Sequence, residues 1–132
     1  MGYAKATIEE LGEGPGFRKI RQALGVTAFG VNALVFPPHY DGPAHFHDSQ
    51  DELYFVHRGH ATFEVDGEEF ELGPGGIVYV ESKTPRKLNN RADEELIVLA
   101  VGGKDGYVGR DGQLVDVERD LARRQAFTAG GK

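Results

Sequence analysis

The chain has 132 residues, room for one domain and too little for two. It contains no cysteine, which excludes disulfides, thiolate zinc sites, iron–sulfur clusters and a cysteine nucleophile. Its formal charge of −6, from 15 Lys+Arg against 21 Asp+Glu, argues against nucleic acid and anionic membranes as partners.

No apolar run is long enough to span a bilayer, and the first ten residues show no apolar signal-peptide core, so a cytoplasmic location is expected. Glycine is the compositional outlier, 19 of 132 residues, and predicts many turns between short elements. Residues 4–11 read as a short helix or an edge strand, broken by the Gly12-Glu13-Gly14-Pro15-Gly16 cluster. Residues 26–36 (VTAFGVNALVF) are apolar on both faces and read as a buried strand, ended by Pro37-Pro38. Asp41-Gly42-Pro43 makes a turn. His45–His47 and residues 51–56 are the next strands. Ala61–Val65 and Glu68–Leu72 flank Asp66-Gly67, a type I′ hairpin signal between alternating runs. Ile77–Val80, residues 85–90 and residues 95–101 (ELIVLAV) complete the strands. A glycine-rich polar stretch fills 102–112, and 117–127 could form a short amphipathic helix.

Strands this short and this closely spaced leave no room for crossover helices, so an all-β antiparallel sandwich or barrel is expected. The division is an N-terminal arm over 1–25, a barrel over 26–101 and a C-terminal extension over 102–132.

His45 and His47 stand at i and i+2 on a strand, so both imidazoles point to one face. Glu52 opens the next strand, and a hairpin could bring its carboxylate beside them. Two imidazoles and a carboxylate suit a divalent transition metal (iron, manganese, nickel, copper or zinc) and leave positions open for substrate. Tyr54 shares the face of Glu52 and is a candidate to line a pocket and contact a ligand. Gln50 is a candidate to orient a ligand or a bound water, and Tyr79 is a further candidate contact. No G-x-S-x-G elbow supports a serine nucleophile.

The segment GPAHFHDSQDELYFVHRG, residues 42–59, is close to G(x)5HxH(x)3–4E(x)6G. Four residues separate His47 from Glu52 and six separate Glu52 from Gly59, as that pattern requires, whereas Gly42 lies too near His45. This resembles the first motif of the cupin superfamily. The stretch GIVYVESKTPRKLNN, residues 76–90, resembles a degraded second motif, G(x)5PxG(x)2H(x)3N, with Glu81, Lys83 and Arg86 at the usual proline, glycine and histidine. The resemblance implies a jelly-roll, double-stranded β-helix barrel, to which the pattern over 117–127 adds a short C-terminal helix. It also implies a small-molecule ligand and a homodimer with the N-terminal arm packed across the partner.

Arginine offers no lone pair, so Arg86 cannot replace the fourth ligand that the resemblance would supply. Two readings stay open. In one, three ligands hold a metal for oxygenase- or isomerase-type chemistry on a small oxygenated substrate, and Arg86 at the rim binds its anionic end. In the other, Arg86 points inward, pairs with Glu52 and replaces the metal charge, leaving a metal-free binding or sensing barrel.

Overall fold

The computed structural model describes residues 2–115. Beyond a 3-10 turn at Glu9–Leu11, the chain forms β1 (Gly16–Arg18), α1 (Ile20–Leu24), β2 (Gly30–Phe36), β3 (Tyr40–Asp41) and β4 (His45–His47). There follow β5 (Asp51–Arg58), β6 (Ala61–Val65), β7 (Glu68–Leu72), β8 (Ile77–Val80), β9 (Arg86–Asn90), β10 (Leu96–Gly103) and β11 (Gly112–Leu114). Among the described residues no helix is long and apolar enough to cross a membrane.

The strands build two antiparallel sheets, ordered β1-β2-β10-β5-β8 and β11-β4-β9-β6-β7, with β3 paired to β9. Non-consecutive neighbours dominate both orders, so the chain passes repeatedly from one layer to the other, as a double-stranded β-helix does. Alternation along each strand sends one set of side chains between the layers. Phe36, Tyr54, Val56, Phe63, Leu88, Leu96 and Val98 form the core there. Phe63 is fully buried, 5.7 Å from the Tyr54 ring and stacked on Phe70 at 5.6 Å.

Hairpin chemistry fixes the register of β6 and β7. Asp66 and Gly67 both adopt positive φ, at 51° and 82°, as a two-residue type I′ turn requires.

Three elements depart from the sequence reading. Residues 26–29 lie outside β2, because the chain first closes α1 with Gly25 in the left-handed conformation at φ 69°. Residues 4–11 form only the short 3-10 turn, whereas β1, within the expected arm, pairs with β2 through Gly16↔Val35 to Arg18↔Ala33. In the glycine-rich stretch, β11 pairs with β4 through Gly112↔His47. The helix expected over 117–127 lies outside the described residues.

Candidate metal centre

Period-two alternation places His45 and His47 on one face of β4, their rings 5.2 Å apart and edge to face. After His47 the chain leaves this sheet and enters the other at Asp51, so Glu52 approaches from the opposite layer. Each of these three residues offers one ligand atom, and those atoms lie within 4.8 Å of one another.

Arg86 arrives by register. It pairs with His45 across β4 and β9, and directly opposed residues share a face. Its side chain is 1% exposed and points inward, not to the rim. One terminal nitrogen lies 3.5 Å from Glu52 Oε1, and the other donates to the Glu81 carbonyl at 2.8 Å.

The Tyr54 hydroxyl donates to Glu52 Oε1. Burial, with the Glu52 charge beside it, pushes that hydroxyl well above its ordinary pKa and keeps it protonated. Burial works against the charge on Glu52, but His47 and the Tyr54 hydroxyl outweigh it and hold the carboxyl below its usual range.

The two histidines differ. Burial pushes His45 down to about 4, against the pull of Glu52, so it is neutral and keeps a lone pair. For His47, burial is outweighed by the Glu52 and Asp111 carboxylates, which raise its pKa. His47 Nδ1 lies 2.8 Å from Asp111 Oδ1. Its Nε2 is 2.9 Å from Glu52 Oε1 but out of line for a hydrogen bond, and this buried atom has no other partner.

Asp111 escaped the sequence reading because it sits in a glycine-rich stretch with no motif of its own. Its carboxylate accepts from the Ser49 and Gln50 backbone N–H groups, at 2.8 and 2.9 Å, and from the Gln50 side-chain amide at 2.7 Å. Burial works against its charge, but these donors and His47 hold it well below the usual carboxylate range. Pairing of β11 with β4 fixes its position. A carboxylate on one ring nitrogen sets the tautomer and aims the other at a ligand position.

Gln50 therefore braces Asp111 and also lines the cavity. Tyr79 does not reach the site. It faces Leu53 across β8 and β5, on the sheet's outer surface, and is 59% exposed. The strand alternation that sends Glu52 and Tyr54 inward sends Leu53 and its partner outward. His39 and His60 pair with exposed Asp93 and Glu94, away from the cluster, and His57 is exposed.

The cluster opens on a cavity of about 400 Å³ that reaches from β4 to β1 and α1. Gly102 lies directly opposite Glu52, and a Cβ there would strike the Gln50 amide oxygen and meet Glu52 Cγ at 3.2 Å.

The donor set fits a divalent metal. His45 is neutral and keeps a lone pair, His47 is held by Asp111 with its Nε2 2.9 Å from Glu52 Oε1, and Glu52 is ionised. An ion would take the place of the proton that the two carboxylates favour on His47. Against it stands the Arg86 cation beside Glu52.

The cupin domain family model matches residues 33–102. An uncharacterized protein of Methanocaldococcus jannaschii is 33% identical over 55 residues, which are 42% of this chain and 44% of that protein. The match thus spans less than half the length of this curated relative. A sugar phosphate isomerase of the cupin superfamily from Silicibacter pomeroyi has a similar structure, with TM-score 0.67, 24% identity and 76% of each chain covered. The DMSP lyase DddQ of Ruegeria pomeroyi aligns with TM-score 0.60 and 25% identity over 67% of this chain and 43% of that one.

Proposed function

This chain belongs to the cupin domain family, and we propose that its barrel is a small-molecule site built on a divalent transition metal held by His45, His47 and Glu52. The observation that carries this reading is the convergence of ligand atoms of His45, His47 and Glu52 within 4.8 Å of one another, with the other nitrogen of His47 fixed by Asp111. A ring so oriented, beside a neutral His45 and an ionised Glu52, has the form of a ligand awaiting an ion.

When bound, such an ion supplies Lewis acidity toward an oxygen of the substrate or activates water or dioxygen. The chain's own residues do the rest. Asp111, braced by Gln50, keeps His47 aimed. Tyr54 keeps its hydroxyl proton and donates it to Glu52 Oε1, which orients that carboxylate. Phe36, Phe63 and Leu88 give the cavity an apolar wall. Oxygenase-, isomerase- and lyase-type reactions on a small oxygenated substrate all suit this arrangement, and the similarity to a DMSP lyase keeps the last in range.

The test is thermal unfolding with added manganese, iron, nickel, copper or zinc. An ion that binds only the folded chain raises the midpoint with concentration. The wild type should respond to at least one ion, and His45→Ala should not. Equal behaviour of the two proteins would overturn the reading.

The inward Arg86 favours a second reading, a metal-free binding or sensing barrel in which its guanidinium stands in for the ion beside Glu52. That reading gains if no ion shifts the unfolding midpoint and Arg86→Met alone restores a response.

We also propose a homodimer. The outer face of β5 and β8 presents Leu53, Ile77 and Tyr79 to solvent, and a second copy would cover them. A monomeric mass by light scattering at micromolar concentration would reject this.

A further inference from the structure

The mouth of the cavity differs in charge from the rest of the protein. The chain carries −6, yet the described residues lining the cavity include Lys19, Arg21, Arg86 and Arg110 against Glu52 and Asp111. Both carboxylates are already engaged, by Tyr54, His47 and Arg86 and by Ser49, Gln50 and His47. Arg86 is engaged too, by Glu52 and the Glu81 carbonyl. Lys19, Arg21 and Arg110 have no ion-pair partner among the described residues.

These three cations come from two segments. Lys19 precedes α1, Arg21 lies within it, and Arg110 lies in the strap between β10 and β11. The strap is tied to the helix by the Arg21 guanidinium, which stacks 4.0 Å over the Tyr107 ring. A stacked guanidinium keeps its in-plane N–H donors for a carboxylate or phosphate. Unpaired cations at the mouth of a low-dielectric cleft concentrate anions there.

The rest of the lining narrows the anion. Phe17, Leu34, Phe36, Phe63, Leu88 and Leu114 supply an apolar wall. Hydroxyls seated against this wall would lose water without gaining partners, so this side of the cavity favours a hydrocarbon or aromatic body, while Gln22, Asn32 and Gln50 line it elsewhere.

We propose that Lys19, Arg21 and Arg110 form an anion subsite at the cavity mouth, and that the ligand is a small organic carboxylate with an apolar body. The inference rests on the reading of the cavity as a small-molecule site, and it does not require the metal.

The experiment is calorimetric titration of the full chain with 3-phenylpropanoate, its neutral amide, hexanoate and ribose 5-phosphate. Wild type is compared with Lys19→Gln/Arg21→Gln/Arg110→Gln, each metal-loaded and after chelation. We expect the carboxylates to bind about tenfold tighter than the amide and tighter than ribose 5-phosphate. That preference should survive chelation and vanish in the triple variant. Should the triple variant fail to fold, Lys19→Gln and Arg110→Gln, both at exposed positions, should each weaken the carboxylates severalfold.

A preference lost on chelation but kept in the triple variant would place the anion on the metal, overturning this inference and supporting the metal reading. A preference that persists in protein unable to take up any ion would do the reverse. Equal binding of carboxylate and amide, stronger binding of ribose 5-phosphate, or no carboxylate binding at millimolar concentration would overturn the subsite.

Discussion

Along β5 the inward-facing residues run from Glu52 through Tyr54 to Val56, and along β9 from Arg86 to Leu88. The same strands thus build two unlike ends of one interior. At the apolar end Val56, Ala61, Phe63, Leu88 and Leu96 touch one another, and each is at most 8% exposed. At the polar end every charged group is held by a neighbour: Glu52 by Tyr54, Arg86 by a carbonyl, Asp111 by three N–H groups. Burial stabilises the first end, whereas desolvation opposes much of the attraction gained at the second. The apolar end should therefore carry the fold and the polar end the chemistry.

The largest effect should come from Phe63→Ala, which removes a fully buried ring stacked on Phe70. It should lower the unfolding free energy by about 3–5 kcal/mol in a denaturant titration. A loss below about 1 kcal/mol would break the division between the two ends.

Asp111→Asn comes next. It should weaken metal affinity about ten- to a hundredfold by calorimetry, because His47 loses the carboxylate that aims it. Unchanged affinity would show that His47 is not a ligand, or that Asp111 merely closes the strap.

Arg86→Met sharpens the comparison in the other direction. Removing a cation 3.5 Å from Glu52 should strengthen metal binding by about tenfold. The metal-free variant should be less stable, since Glu52 stays buried after its cation is removed, and a bound ion should restore part of the loss. Weaker binding would instead make Arg86 the residue that positions Glu52.

The smallest effect should be at a surface ion pair outside both ends. Arg91 and Glu69 form two contacts at 3.0 and 3.1 Å with both side chains more than half exposed. Arg91→Ala should leave the unfolding midpoint within measurement error. A clear shift would mean that the outer face of the six-stranded sheet contributes more than this comparison allows.

Much of this was legible in the sequence where periodicity speaks. Alternation and turn residues gave Ala61–Val65, Glu68–Leu72 and Ile77–Val80 with their observed bounds, and the H-x-H spacing put His45 and His47 on one face. What escaped was set by contacts distant in sequence. β1 and β11 are three residues long, too short for a period, and exist through pairing with β2 and β4. Asp111 lies 64 residues from His47, so no local pattern could join them. The orientation of Arg86 follows from its register with His45, which its own surroundings did not encode. Tyr79 shows the converse failure, since its strand was recognised and its face was not.

The central claim is that the polar end holds a metal. Its most direct test is elemental analysis of tag-free wild-type protein beside a His45→Ala/His47→Ala variant, before and after incubation with iron, manganese, nickel, copper and zinc. The account predicts roughly one divalent ion per chain in the wild type and none in the variant. A folded wild type that is empty and takes up none of the five ions would contradict it.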